Sequence, residues 1–186
     1  MLEVKSAANA GITGRGYINA AAAGLKIGCF VKLDGVWAAI AGPTGYAGKP
    51  GYAPIGGIKY TPATSGDDIA TPVFPFKKYH YTPEDSELTK DTVVSGQEIV
   101  VFESGEFETD QYSVVMNATT VGTLLYIDAS SQLTTGFSAL NRVPRAIFLG
   151  SKGTSFDSNY EATGLIWFKL LPPAIVPSGW AQKHVA

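Results

Sequence analysis

The stretch that decides the fold is VGTLLYIDASSQLTTGF, residues 121–137. Its residues 124–127, LLYI, have the apolar and aromatic character of a β-strand. The next four, DASS at 128–131, carry a short polar side chain at each end, of the kind that bonds its own backbone in a turn. A return strand begins with QLT at 132–134. The sequence therefore predicts a β-hairpin over residues 121–133.

The chain contains this pattern twice. Residues 27–34, IGCFVKLD, match residues 121–128, VGTLLYID, position by position. Both have a β-branched residue, a Gly, a free position, two apolar residues, a free position, one apolar residue and an Asp. In the first copy Gly35 follows Asp34, and Asp-Gly between apolar runs predicts a tight hairpin over residues 25–41. The alternative is chance, because short strands share a small vocabulary of residue types.

The composition indicates a rigid, loop-rich β protein. The 186 residues suit one domain, or one domain with an arm, and can bury a core without disulfides. Charged residues make up 16% of the chain, below the usual quarter or so, and such an apolar surface often contacts other subunits. The single Cys29 excludes a disulfide framework and a Cys-based zinc site. We expect it to be a small apolar core residue.

The net charge of −2 hides a segregation of charge along the chain. Residues 1–80 carry eight Lys or Arg against four Asp or Glu, and residues 111–186 carry five against three. Residues 81–110 carry nine acidic residues against Lys90 alone. One interpretation is that the molecule docks head-to-tail on copies of itself. The other is an acidic surface loop that is simply solvated.

The sequence predicts a mainly β fold, a small β-barrel or sandwich with an extended N-terminal arm and a long loop. Residues 1–24 are rich in Ala and Gly and predict a loosely ordered arm, or a disordered terminus. Residues 25–171 form the β domain. Within it, 42–83 is a Pro-, Gly- and aromatic-rich loop excursion or small subdomain, expected to be an interaction surface. Residues 172–186 are a tail. Further strands are expected at 98–102, 106–109, 113–116, 145–150 and 164–171.

The carboxylates near the middle of the chain have the residue types of a catalytic or Ca²⁺ site. They are Glu103, Glu106, Glu108 and Asp110. Two carboxylates can hydrolyse a glycoside and several can hold Ca²⁺. On an extended strand, however, Glu106 and Glu108 point to one side and Phe107 to the other, which is typical of a polar outer face. We therefore expect no catalytic residue and no metal site here.

Other familiar sites are also missing from the sequence. Residues 42–50, GPTGYAGKP, lack the spacing and the hydroxyl of a phosphate-binding loop. His80 and His184 have no neighbours at metal-ligand or catalytic-triad spacing. Lys77-Lys78 beside aromatic residues is too small a basic patch for nucleic acid. No apolar run is long enough to span a membrane and no leader opens the chain. We expect no enzyme activity, cofactor, nucleic-acid partner, membrane partner or secretion signal.

The repeated hairpin and its flanks resemble the capsid decoration, or cement, proteins of tailed bacteriophages. The flanks are Gly105-Glu106-Phe107-Glu108 before the second hairpin and AIFLG at 146–150 after it. The pattern in that family is an acidic strand, a Val-Gly strand, a turn with a return strand, an A-x-x-x-G strand and a final apolar strand. The resemblance covers roughly residues 96–171, with a weaker echo at 25–41. The chain departs from the shortest members by its insertion at 42–83.

The resemblance implies a structural virion protein at the capsid surface that binds the outside of the shell and stabilises it without catalysis. It implies the major capsid protein as partner, together with copies of this chain in a homotrimer. We expect the arm, the aromatic loop and the tail to make the contacts. The candidate contact residues are Tyr17, Tyr46, Tyr52, Tyr60 and Trp180.

Two alternatives remain open from the sequence. One is another virion β-module, such as a head-fibre or tail-tube subunit, with the Tyr-rich loop as a glycan-binding site. The other is a glycan-active enzyme that uses Glu106 or Glu108.

Overall fold

The computed structural model describes residues 2–5, 11–18, 24–37, 57–65, 67, 72–79, 91–113, 119–136, 143–151 and 164–172. Over these residues the chain is almost entirely β, which confirms the predicted mainly β fold with a small barrel. Within the same ranges, no helix has the length and apolar character needed to cross a membrane.

The described residues form thirteen strands. They are β1 (Leu2–Val4), β2 (Gly11–Ile18), β3 (Leu25–Lys26), β4 (Phe30–Trp37), β5 (Gly57–Pro62), β6 (Val73–Lys78), β7 (Thr92–Val93), β8 (Glu98–Ser104), β9 (Glu106–Thr109), β10 (Leu124–Ile127), β11 (Leu133–Thr134), β12 (Ala146–Ser151) and β13 (Ile166–Leu170). The short strands β3 and β7 pair only with each other.

Five strands form a closed barrel, in the order β2-β5-β4-β6-β8. All neighbours are antiparallel except β2 and β5, whose parallel pairing of Tyr17 with Lys59 and Ile18 with Tyr60 closes the barrel. Buried apolar side chains from these strands form its core. They include Val31, Tyr60, Phe76, Ile99 and Val101.

The other large sheet has six strands, in the order β1-β9-β13-β12-β10-β11, and curls into a half-barrel. After β9 the chain continues to Tyr112, which forms a parallel bridge with Leu133 of β11. The N–H of Leu133 donates to the carbonyl of Gln111 (3.1 Å), and the N–H of Ser113 donates to the carbonyl of Leu133 (2.9 Å). The β9 segment and its continuation therefore border both β13 and β11. They enclose a part of the hydrophobic core in which the rings of Phe107 and Phe168 stack at 5.7 Å, and this part is continuous with the barrel core through Phe102, whose ring lies 5.2 Å from that of Phe107.

The two units have the same plan. Strand by strand, the barrel order β2-β5-β4-β6-β8 corresponds to the half-barrel order β9-β11-β10-β12-β13. Each unit has one parallel pairing, between β2 and β5 in the barrel and between the continuation of β9 and β11 in the half-barrel. The registers agree as well. The barrel pair Phe30–Pro75 corresponds to the half-barrel pair Leu124–Ile147. In the same way, Leu33–Tyr60 corresponds to Ile127–Leu133. The repeat seen in the sequence is therefore part of a duplication of a whole five-stranded unit.

The glycine of the repeat has the same role in both units. Gly28 and Gly122 have φ values of 97° and 93°, a region that favours glycine. The N–H of Gly28 donates to the carbonyl of Phe76 (3.2 Å), and the N–H of Gly122 donates to that of Phe148 (2.8 Å). Each glycine thus turns the chain onto the neighbouring strand just before β4 or β10 begins. Chance similarity between two strands does not account for this shared geometry.

The two predicted hairpins had different outcomes. The second is confirmed: β10 pairs with β11, and Oδ1 of Asp128 accepts from the N–H groups of Ser130 (2.8 Å) and Gln132 (2.9 Å). The first is wrong, because β4 runs straight through Asp34 and Gly35 to pair with β5. The register shifts there and places these two residues opposite one residue of β5, a β-bulge in which Gly35 has a φ of 94°.

The structure also differs from the prediction of an arm and a long loop. Residues 1–24, predicted to be loosely ordered, contain β1 and the barrel strand β2. Residues 42–83 contain the barrel strands β5 and β6. Pro75, which has no N–H to donate, is tolerated within β6 because the carbonyl of its partner Phe30 accepts from the N–H of Ala63 instead. Within the tail 172–186 only residue 172 is described. The strand predicted at 113–116 lies outside the described residues except for residue 113.

The turn of the second hairpin joins the two units. The N–H of Phe30 donates to the carbonyl of Ser131 (2.8 Å). The carbonyl of Phe30 in turn accepts from the N–H of Ala63 (2.9 Å). The Ser131 hydroxyl donates to the carbonyl of Ala63 (2.5 Å), which completes the connection. Ser131 is buried and has a φ of 65°, which is uncommon for a residue with a side chain. We call this set of contacts the inter-unit joint.

Ser131→Ala is expected to lower the free energy of unfolding by about 1–2 kcal/mol, because the buried carbonyl of Ala63 loses a donor. The matched control is Ser130→Ala in the same turn, since Ser130 is exposed and only its backbone N–H bonds Asp128. Urea unfolding of both variants measures the difference. Equal stability of the two variants would contradict a stabilising role for the Ser131 hydroxyl.

Gly16→Ala is expected to destabilise the barrel by about 1–3 kcal/mol through overpacking. A Cβ at this position would lie 2.6 Å from the backbone oxygen of Ile58 and 2.6 Å from Cε2 of Tyr60. The matched control is Gly136→Ala, whose Cβ would lie 3.3 Å from Oγ1 of Thr134 and meet no closer atom. Thermal unfolding of both variants tests this, and a Gly16→Ala protein as stable as the control would rule out the predicted clash.

Candidate interaction surfaces

The carboxylates on β9 form an ion pair within the sheet. The predicted alternation is confirmed: Phe107 is fully buried in the core, and Glu106 and Glu108 point the other way. Glu108 is buried all the same, because the outer strand β1 covers β9 and Nζ of Lys5 lies 2.8 Å from Oε1 of Glu108. The expectation of a solvated face is therefore wrong at Glu108.

The described residues hold no group of three or more His, Cys, Asp or Glu side chains suited to a metal ion. His80 and His184 lie outside the described residues. Cys29 is buried, as expected of a core residue, and its thiol donates to Oε1 of Gln111 (3.7 Å). Burial raises the pKa of this thiol to about 12, so it stays protonated near neutral pH and is a poor nucleophile.

The structure describes two of the five predicted contact residues. Tyr46, Tyr52 and Trp180 lie outside the described residues. Tyr17 lies on β2, is partly buried and pairs with Lys59. The expectation that Tyr60 is exposed on a loop is wrong. Tyr60 lies on the barrel strand β5, and only 3% of its surface is exposed. It is buried because its ring fills the space that Gly16, which has no side chain, leaves open.

Other apolar residues take the exposed positions. The large hydrophobic side chains exposed among the described residues are Leu33, Ile58, Tyr79, Val121, Leu124 and Trp167. Four of them form two patches. Val121 and Leu124 lie at the start of β10, and we call them the β10-start patch. Leu33 and Ile58 lie on either side of the bulge between β4 and β5, and we call them the β4-end patch. Singly exposed apolar side chains are common on protein surfaces, so these four residues are candidates for contact and not proof of it.

Trp167 forms a third exposed site, on the outer face of the half-barrel. It lies on β13, where exposed and buried residues alternate, and pairs with Glu108 on β9 and Gly150 on β12. Lys169, on the same face, pairs with Glu106. Tryptophan is enriched at the centres of protein interfaces, whereas Glu and Lys are typical of the polar rim around such a centre.

Two ion pairs lie along β4, one at the β4-end patch and one near the start of the strand. Nζ of Lys59 lies 2.9 Å from Oδ2 of Asp34 across the bulge. On the other side of β4, Nζ of Lys32 donates to Oδ1 of Asp67 (2.6 Å). The N–H and hydroxyl of Thr64 donate to Oδ2 of Asp67 at 2.7 and 2.9 Å. An apolar centre with a polar rim is typical of a protein–protein contact.

The surroundings of Asp67 change its acidity. Burial alone would raise the pKa of its carboxyl group, but the hydrogen bonds from Lys32 and Thr64 outweigh burial and hold that pKa below its ordinary value. These bonds fix the turn that follows Ala63, the residue that receives the Ser131 hydroxyl. The carboxylate therefore supports the inter-unit joint from the side of the barrel.

Asp67→Asn is expected to lower the free energy of unfolding by about 1 kcal/mol at neutral pH, because the bonds of Lys32 and Thr64 lose their charged acceptor. Because the pKa of Asp67 is lower in the folded state, its carboxylate stabilises the fold at any pH above the ordinary pKa of an aspartate. This contribution is lost as the pH falls through the folded-state pKa. Urea unfolding from pH 7 down to pH 3 should thus show the variant and the wild type converging.

The matched control for this pH series is Asp34→Asn, which breaks the more exposed ion pair with Lys59 and should cost less. A constant difference between Asp67→Asn and the wild type across the whole pH range would contradict a role for the ionised carboxylate.

Comparison of the chain with family models, curated proteins and solved structures gave no match.

Proposed function

We propose that this chain is a structural virion protein that binds the outside of a phage capsid shell and stabilises it, without catalysis. The observation that carries the proposal is that the described residues present large apolar side chains on a rigid β scaffold, at three separate surfaces. A binding protein that meets several neighbours needs such surfaces, whereas an enzyme needs a cleft with converging polar groups.

The distribution of the resembling segments supports the proposal. The five segments that resemble decoration proteins fall on β9, β10, β11, β12 and β13. Together these strands make the half-barrel. The resemblance is therefore concentrated in one structural unit, although its range of roughly 96–171 includes the barrel strand β8 and its weaker echo at 25–41 includes β4. The insertion that departs from the family contains β5 and β6, which belong to the other unit.

The physical task fits a protein of this kind. A ligand that binds only the expanded shell lowers the free energy of that state by mass action. Many copies on one shell add up modest contacts into a large total. The partner in this proposal is the major capsid protein, and the contact we assign to it is the surface around Trp167. Tryptophan is among the residues that most often dominate the binding energy of an interface.

The first test is the copy number of the chain in purified particles of its source, by quantitative mass spectrometry. A simple ratio to the main shell protein is expected. A handful of copies would replace this proposal with a head-fibre or tail-tube subunit, and absence from the particles would overturn any virion role.

A second test uses shells freed of the chain and re-decorated with purified protein. Trp167→Ala is expected to weaken shell binding by about 2 kcal/mol, roughly thirtyfold, as an interface hot spot does. Tyr79→Ala is the matched control, because Tyr79 is an equally exposed aromatic residue on the other unit. Bound protein is measured by co-sedimentation with the shells. Equal binding by both variants would remove the Trp167 surface from the proposal.

A further inference from the structure

One strand of the half-barrel sheet has no counterpart in the described part of the barrel. The barrel has five strands, whereas the sheet of the half-barrel has β1 as a sixth, beside β9. Within the described residues β1 pairs with β9 alone. Its register pairs are Leu2–Thr109, Glu3–Glu108 and Val4–Phe107. Because the barrel closes without such a strand, the five-stranded plan does not require β1.

β1 occupies a site on β9 that recognises both its backbone and its side chains. The N–H of Lys5 donates to the carbonyl of Glu106 (2.9 Å), which continues the pairing beyond β1 by one residue. Leu2 is only 1% exposed and belongs to the hydrophobic core. Nζ of Lys5 lies 2.8 Å from Oε1 of the buried Glu108. The site therefore fits an extended segment with an apolar residue and, three positions later, a basic residue.

The connection from β1 to β2 is longer than the path between them. Both strands run along the segment formed by β8 and β9, where Lys5 bonds Glu106 and Gly11 is paired with Ser104. Two positions along a strand are at most about 7 Å apart. Five residues, 6–10, separate Lys5 from Gly11. A connection of this length can span up to about 20 Å. β1 can therefore reach the β9 of an adjacent molecule while β2 stays in its own barrel.

We propose that β1 is an exchangeable strand and that the β9 edge of each chain binds β1 of a second copy. The occupant is a second copy because the structure shows which segment fits this edge, and every copy carries that segment. Exchange replaces each contact of β1 by an identical one, so the closed and exchanged forms differ mainly in the entropy of association. The exchanged form therefore increases with the concentration of the chain. This inference does not depend on the proposed shell partner.

The first experiment compares the full-length wild type with a chain in which β1 is locked in place. Glu3→Cys and Glu108→Cys in one chain put two cysteines directly opposite each other, at a Cα separation that a disulfide can bridge. This variant is oxidised while dilute, so that the disulfide forms within one chain. Both proteins are then sedimented over a concentration series up to about 1 mM, the effective concentration that a short tether provides. Dimers that increase with concentration are expected for the wild type. The oxidised variant is expected to lose them, and reduction should restore them.

The second experiment identifies the exchanged strand directly. Full-length chains with Glu3→Cys alone and with Glu108→Cys alone are mixed in a glutathione buffer. A covalent heterodimer is expected, because β1 of one chain places position 3 opposite position 108 of the other. The matched control uses Glu106→Cys in place of Glu108→Cys, since Glu106 lies on the same strand but two residues out of register. The native Cys29 is buried and should not react.

Three outcomes would overturn the inference. One is a wild type that remains monomeric over the whole concentration series. Another is dimer formation by the oxidised double variant to the wild-type extent, which would assign the dimer to a different surface. The third is an equal yield of heterodimer from the Glu108→Cys and Glu106→Cys chains, which would show that random collision joins them.

A peptide measurement keeps the inference testable if a cysteine variant fails to fold. A synthetic peptide of residues 1–10 contains β1 and should compete for the β9 edge. Its addition in excess is expected to dissociate the wild-type dimer. The matched peptide carries Leu2→Asp, which puts a charge where Leu2 is buried, and it should leave the dimer intact. A dimer that persists with both peptides, or that both peptides dissociate equally, would contradict strand exchange.

Discussion

The rest of the structure depends on the docking of one buried turn. Ser131 reaches a φ of 65° at the tip of the second hairpin, and from there it bonds both Phe30 and Ala63. The Asp128 carboxylate holds the turn from within by accepting from the backbone N–H groups of Ser130 and Gln132. Because the bonded groups are buried, any other position of the half-barrel would leave polar backbone atoms without partners. This constraint fixes how the Ser131 turn meets the start of β4.

The duplication shows how one sequence pattern serves two environments. Val31 and Leu125 are fully buried in their own units, because they lie on the inner side of the strands. The residues before and after them depend on the neighbouring unit instead. Ile27 and Val121 are almost the same side chain, yet only Ile27 is covered. Exposure at these positions is thus decided by the order of the two units along the chain and not by the residue type.

Local signals of the sequence predicted local structure well. The polar turn and flanking strands of the second hairpin are confirmed, as are the strands near residues 98–102, 106–109, 145–150 and 164–171. Strands fixed by distant partners were missed. The Gly-rich β2 pairs with β8 more than eighty residues away, and its glycines are needed where Tyr60 packs closely against Gly16. For the candidate site, the sequence predicted that exposed aromatic residues make the contacts. Tyr60 is buried instead, because it lies on a barrel strand and packs against Gly16. Which apolar residues are exposed depends on the packing of two units, and local sequence does not show that packing.

The same physics links the joint within the chain to contacts between chains. Within the chain the two units are tethered, so their joint forms without the loss of translational freedom that separate molecules incur. A contact between two separate chains must offset that cost, so it is weaker than a tethered joint and depends on concentration. A shell surface would supply such concentration by holding copies side by side. If the chain binds a shell through Trp167, as proposed, every bound copy raises the local concentration of the surfaces that neighbouring copies present.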